Sequence, residues 1–92
     1  MKYYDWDEKK NEAIKNQRDI SFEDIVFAIE NGGLLDTILN PDQEKYPNQK
    51  VFFVKVNNYA YAVPFIEDKN IIYLKTIYPS RKATRIYLGG EK

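Results

Sequence analysis

The stretch that most restricts the fold is residues 50–66, KVFFVKVNNYAYAVPFI. Asn57 and Asn58 separate two runs rich in β-branched and aromatic residues, and an Asn pair suits a tight two-residue hairpin turn. A turn at residues 67–70 leads into a third run, 71–78, so the spacing predicts an antiparallel meander. In that third strand Ile71, Tyr73, Lys75 and Ile77 share one face, and Ile72, Leu74, Thr76 and Tyr78 share the other. Pro64 has no N–H to donate, so the middle strand must bulge there or turn that position to an unpaired edge. Residues 34–39 read as a further short strand. The polar, proline-containing segment 40–50 reads as a loop.

Ahead of the meander lie two helical segments. A short aromatic strand at 2–6 precedes a polar helix over 7–17, with Asp7 and Glu8 at its favourable end and Ala13, Ile14 and Trp6 as apolar anchors. Ser21 is the N-cap of the next helix, with Asp24 completing a capping box and Ile20 and Ile25 forming a hydrophobic staple. Phe22, Ile25, Val26 and Ile29 fall on one face, and Asn31-Gly32-Gly33 ends the helix. Pro79 is expected to open a last, short helix, where its missing N–H costs nothing, and Gly89-Gly90 to close it. The expected class is α+β, with the helices on one side of an antiparallel sheet of three to four strands. With 92 residues and no linker or repeat, residues 1–92 are expected to form a single domain.

The chain has no Cys and no His. Disulfides, thiol chemistry, Ser-His-Asp machinery and a histidine acid–base pair are thereby excluded, and a zinc site loses its usual ligands. No cofactor is expected. No P-loop or dinucleotide fingerprint occurs, and no pair of carboxylates has a spacing that signals acid–base work. No apolar run is long enough for a membrane span, and the opening residues lack a signal-peptide core, so a cytoplasmic location is expected.

Formal charge sums to zero but is unevenly spread. Residues 1–30 hold five cations and eight anions, whereas residues 75–92 hold Lys75, Arg81, Lys82, Arg85 and Lys92 against Glu91 alone. Arg81 and Lys82 fall in the first turn of the last helix, where the helix dipole disfavours cations by about 0.3–1 kcal/mol each. The functional reading is an anion site, because a helix N-terminus also presents unpaired N–H groups. The plain reading is a pair of surface charges whose penalty salt screens. Lys9, Lys10, Lys15 and Arg18 alternate with acids and read as a solvated helix face. Ala83, Ile86 and Tyr87 are expected to pack the last helix, and Tyr59, Tyr61 and Tyr73 to be ordinary half-buried strand aromatics.

Two stretches, YYDWDEKKNEAIKNQRDISFEDIVFAI and IYPSRKATRIYL, resemble the opening and closing motifs of the BrnT toxins of bacterial type II toxin–antitoxin systems. The first is similar to an aromatic-W-D-x-x-K-N segment followed by a polar helix and I/V-S-F-E-E. The second is similar to I-S-A-R-x-A-T. The chain departs from the family at Gln17-Arg18-Asp19, where Lys-His-Gly is usual, and at Arg85-Ile86-Tyr87, where a Glu often precedes the Tyr. The resemblance implies a RelE-like fold, with two N-terminal helices and a short C-terminal helix, and metal-independent cleavage of mRNA that inhibits translation. It also implies a small DNA-binding antitoxin as partner. By motif position Arg81 would hold the transition-state phosphate. With it, Lys82, Arg85 and Tyr87 make up the candidate catalytic set. Lys75, Tyr78 and Ser80 make up the candidate RNA-binding set. A non-catalytic RNA- or protein-binding module of the same fold is the alternative.

Overall fold

A computed structural model of the chain describes residues 2–89. Gly90, Glu91 and Lys92, the second stop glycine and the last charges of the tail, lie outside the described residues. The elements in order are β1 (Tyr3–Asp5), α1 (Glu8–Arg18), α2 (Phe22–Glu30), β2 (Leu34–Leu39), β3 (Gln49–Val56), β4 (Tyr59–Asp68), β5 (Ile71–Leu74), β6 (Tyr78–Pro79) and α3 (Arg81–Leu88). The strands form one mixed sheet in the order β1-β5-β4-β3-β2, with β6 also against β4, and with the helices make an α+β domain. Among the described residues, no helix is long and apolar enough to cross a membrane.

The hairpin forms where the paired asparagines predict it. Asn57 and Asn58 sit at φ 54° and 64°, the left-handed conformation that such a turn needs at both positions. β3 and β4 then pair without a break from Val56↔Tyr59 to Gln49↔Ile66. β4 runs to Asp68, so the next turn narrows to Lys69 and Asn70, with Lys69 at φ 56°.

The sheet departs from expectation in its pairing and its faces. It has six strands rather than three or four, and it is mixed, because β1 runs parallel to β5. Pairing of this kind joins chain ends far apart in sequence, which local alternation does not encode. Lys2 is salt-bridged to Glu67, and Tyr3 N donates to Asn70 O at 2.7 Å, which hold β1 in place.

The third strand is also interrupted. Phe65 pairs with Leu74, but Ala62 pairs with Tyr78, so one extra residue is looped out between β5 and β6. Pro64 lies opposite this gap. Its carbonyl accepts from Lys75 N at 2.8 Å, and its missing N–H falls where the ladder is broken. The bulge reverses the faces that follow it. Ile77 is 1% exposed and joins Ile72 and Leu74 in the core, contrary to strict alternation. Tyr78 is brought opposite Ala62 instead.

One face of the sheet carries the main core. Phe52, Val54, Val63, Phe65, Ile72 and Leu74 pack against Ile14 of α1 and Phe22 and Ile25 of α2. Trp6 stacks on Phe22 with ring centroids 5.6 Å apart. α2 starts with the full capping box, Ser21 Oγ accepting from Asp24 N and Asp24 Oδ2 from Ser21 N. In α1, Ala13 is exposed, contrary to its expected anchoring role, and the second buried residue beside Ile14 is Asn11. Its Oδ1 accepts from Phe22 N at 2.8 Å and its Nδ2 donates to Glu23 Oε1 at 2.8 Å. One side chain thereby satisfies a helix-start N–H and joins the two helices. α2 closes through Gly32 at φ 89°, and Gly33 passes so near β3 that a Cβ would lie 3.0 Å from Lys55 O and 2.8 Å from Ala28 O.

α3 lies on the opposite face, so the helices cover both sides of the sheet rather than one. Ala60 and Ala62 leave room for it, and both are buried. Pro79 does not open this helix. It belongs to β6, paired with Tyr61, and Ser80 is the N-cap.

Candidate functional site

Ser80 and Thr84 attach the start of α3 to the edge of β4. Ser80 N donates to Ala60 O at 2.9 Å, and Thr84 Oγ1 accepts from Ala60 N at 2.9 Å while donating to Ser80 O at 2.8 Å. Ser80 Oγ accepts from Ala83 N at 3.1 Å. Ser80 Oγ, a candidate for an RNA phosphate, thus also serves as a helix cap, and its O–H proton is the part that a phosphate oxygen could accept. From this anchor the helix crosses from β4 over β3, where Tyr87 meets Phe53 with ring centroids 5.7 Å apart, toward β2, which carries Asp36.

The crossing decides which residues face water. Ala83 is buried, as expected. Ile86 is 60% exposed, contrary to the packed position assigned to it, because Thr84 and Tyr87 turn toward the sheet instead. Arg81, Lys82 and Arg85 are all exposed. Among the described residues, no carboxylate forms a salt bridge with any of the three. Arg81 and Arg85 share a helix edge, one turn apart. Lys82 and Ile86 share another and line an open groove of about 270 Å³, together with Ile38, Phe53 and Tyr87.

Tyr87 differs from the other candidates. Its hydroxyl donates to Asp36 Oδ2 at 2.6 Å. That hydrogen bond, helped by burial and by the Asp36 charge, holds the phenol above its ordinary pKa. The same bond, with Thr37 N on the other carboxylate oxygen, holds Asp36 below the usual carboxylate range. In this arrangement Tyr87 keeps its proton and directs it at Asp36. Asp36 lies 51 residues from Tyr87 in sequence, and no local pattern marks it as a partner.

Tyr78 and Lys75 stand on the other side of Pro79. Tyr78 is 43% exposed and, through the bulge, lies on the face that α3 covers. Lys75 Nζ sits 5.3 Å from the centroid of Tyr73. Lys75 and Tyr78 line a second groove that also receives Lys10 from α1. Lys10 is exposed, as a solvated helix face predicts, and the path of the bulged segment past α1 brings it here.

The structure thus gathers the candidates into two neighbouring places, Lys82, Tyr87 and Ser80 in one groove and Lys75 and Tyr78 in the next. Arg81 and Arg85 line neither and project from the exposed side of α3. Such an array can stabilise phosphate charge. The chain matches no protein-family model, no curated protein and no solved structure.

Proposed function

We propose that the chain is a BrnT-type toxin with a RelE-like fold, a cytoplasmic ribonuclease that grips RNA phosphates along α3 and is held inactive by an antitoxin encoded beside it. The observation that carries this reading is the exposed row of Arg81, Lys82 and Arg85, which has no carboxylate partner among the described residues. Surface cations that serve only solubility are commonly interspersed with acids, as they are along α1. The closing motif also supports the reading, since it builds α3 and places its arginine at the helix start.

The chemistry would be attack of an RNA 2′-OH on the adjacent phosphate, with Arg81 and Lys82 stabilising the charged phosphorane. Arg85 would hold the neighbouring backbone. A second reading, RNA binding without cleavage, draws on the Tyr87–Asp36 bond. The tyrosine available to move a proton is held as a donor to a carboxylate, which lowers its acidity.

Expression in bacteria with and without the neighbouring gene tests the proposal. The expected result is growth arrest with RNA cleavage, relieved by Arg81→Ala and by the neighbouring gene. RNA binding with no cleavage, with or without ribosomes, would select the second reading. The absence of toxicity, cleavage and RNA binding together would sink both.

A further inference from the structure

Five separate parts of the chain converge on the groove beside Tyr78. Lys10 comes from α1, Asn40 and Tyr46 from the loop after β2, Gln49 from β3, Lys75 from the bulged segment and Tyr78 from β6. The groove has a volume of about 300 Å³, at the lower end for ligand clefts, which fits one nucleotide-sized group. No carboxylate lines it. Two other depressions mix signs: one sets Asp19 and Asp24 against Lys55, and another sets Glu67 and Asp68 against Lys50 and Lys69.

Gln49 adds a hydrogen-bond donor to the groove wall. It is 8% exposed, and its Oε1 accepts from Asn40 Nδ2 at 2.8 Å. Asn40 is itself committed, its Oδ1 taking Asp42 N at 2.9 Å. Gln49 Nε2 has no protein partner among the described residues. No buried side-chain N or O among the described residues lacks a partner, so this donor reaches solvent at the groove wall and is open to a ligand acceptor. Tyr46 and Tyr78 are 40% and 43% exposed and present aromatic surface there. Lys45 Nζ lies 5.4 Å from the Tyr46 centroid and adds a third cation at the rim.

We propose that this groove is a nucleotide subsite for single-stranded RNA, its base resting on Tyr78 and Tyr46 with an acceptor atom toward Gln49 Nε2, and its phosphates on Lys10 and Lys75. The inference rests on the RNA-binding reading of α3 and extends it. Pro79 alone separates Tyr78 from Ser80, so a strand with phosphates on α3 can place its next base in the groove. Aromatic side chains that stack on unpaired bases are the common means of holding single strands.

The test is titration of the full chain with uridine 5′-monophosphate and with a short oligouridylate, followed by NMR and by fluorescence anisotropy. The monophosphate is expected to shift the Gln49 side-chain amide and the Tyr78 ring. Lys10→Ala with Lys75→Ala, both at exposed positions, is expected to weaken the oligonucleotide about tenfold at low salt. The log–log salt slope should fall by about 1.4, from two lost phosphate contacts. Gln49→Met, checked by thermal melting, should lose the monophosphate shift at Tyr78. Wild-type affinity in the lysine variant, with Arg81→Ala and Lys82→Ala weakened, overturns the groove and leaves the α3 reading intact. The converse pattern overturns α3 as the grip and leaves the groove. Groove resonances that move only with an acidic protein partner also overturn the proposal.

Discussion

The junction of α1 with α2 and the exposed side of α3 carry the two motif-like ends of this chain, and they do opposite work. At the junction, Asn11 is 3% exposed and both ends of its amide are paired, to Phe22 N and Glu23 Oε1. On α3, Arg81 and Arg85 stand in water without an acid partner among the described residues. Both regions look equally distinctive as strings of residues. A satisfied, buried polar group marks a position held for folding, and an unsatisfied, exposed one marks a position free for a partner. The division runs inside the closing motif as well. Thr84 and Ser80 tie α3 to β4, whereas Arg81, between them, touches neither groove nor core.

The comparison can be broken from the folding side first. Phe22→Ala removes a fully buried ring stacked on Trp6, and is expected to cost about 3–5 kcal/mol in a urea melt. Asn11→Ala leaves Phe22 N buried without a partner, for an expected loss of about 1–3 kcal/mol. The same variant has a titration signature. Glu23 is held below its ordinary value, first by the Asn11 hydrogen bond. Its contribution to stability is therefore present above the unfolded carboxylate pKa and is lost as pH falls through the lower folded value. In Asn11→Ala that acid-side loss should shrink, and an NMR titration should find the Glu23 pKa moved upward.

A smaller loss is expected where motif and cap coincide. Ser80→Ala removes the acceptor for Ala83 N and should cost about 1 kcal/mol. Arg81→Ala and Arg85→Ala should change stability by less than about 0.5 kcal/mol each, yet lower the salt slope of RNA binding by about 0.7 per contact removed. If either arginine proves as costly to the fold as Asn11, the contrast between the two ends fails. Tyr87→Phe keeps the ring beside Phe53 and removes the bond to Asp36. The Asp36 pKa should rise toward the ordinary carboxylate range, read by NMR. If ribonuclease activity survives this substitution, the hydroxyl of Tyr87 takes no part in proton transfer.

Much of the local structure was legible from residue types. Asn57-Asn58 made a turn, Ser21 and Asp24 made a capping box, and the periodic apolar positions of α2 found the core. Alternation failed at one residue. The bulge opposite Pro64 turned Ile77 inward and brought Tyr78 onto the face of α3. Sequence raised the alternative of a bulge at Pro64 but had no means of placing the extra residue on the neighbouring strand. Pro79 departs from expectation for a related reason: a proline suits an unpaired strand edge as well as a helix start, and pairing with Tyr61 decides between them.

By itself, then, the sequence determined the elements whose causes are local: turns that need positive φ, caps that need a nearby oxygen, and faces set by period. It also confined any acid–base chemistry to groups other than His and Cys. Tertiary structure alone decided that β1 lies parallel to β5, that α3 crosses the sheet opposite α1 and α2, and that Asp36 holds the Tyr87 hydroxyl. It alone brought Lys10, Gln49, Lys75 and Tyr78 around one groove. These arrangements depend on contacts between residues tens of positions apart, whose free energies arise only once the sheet has closed and no local propensity records them.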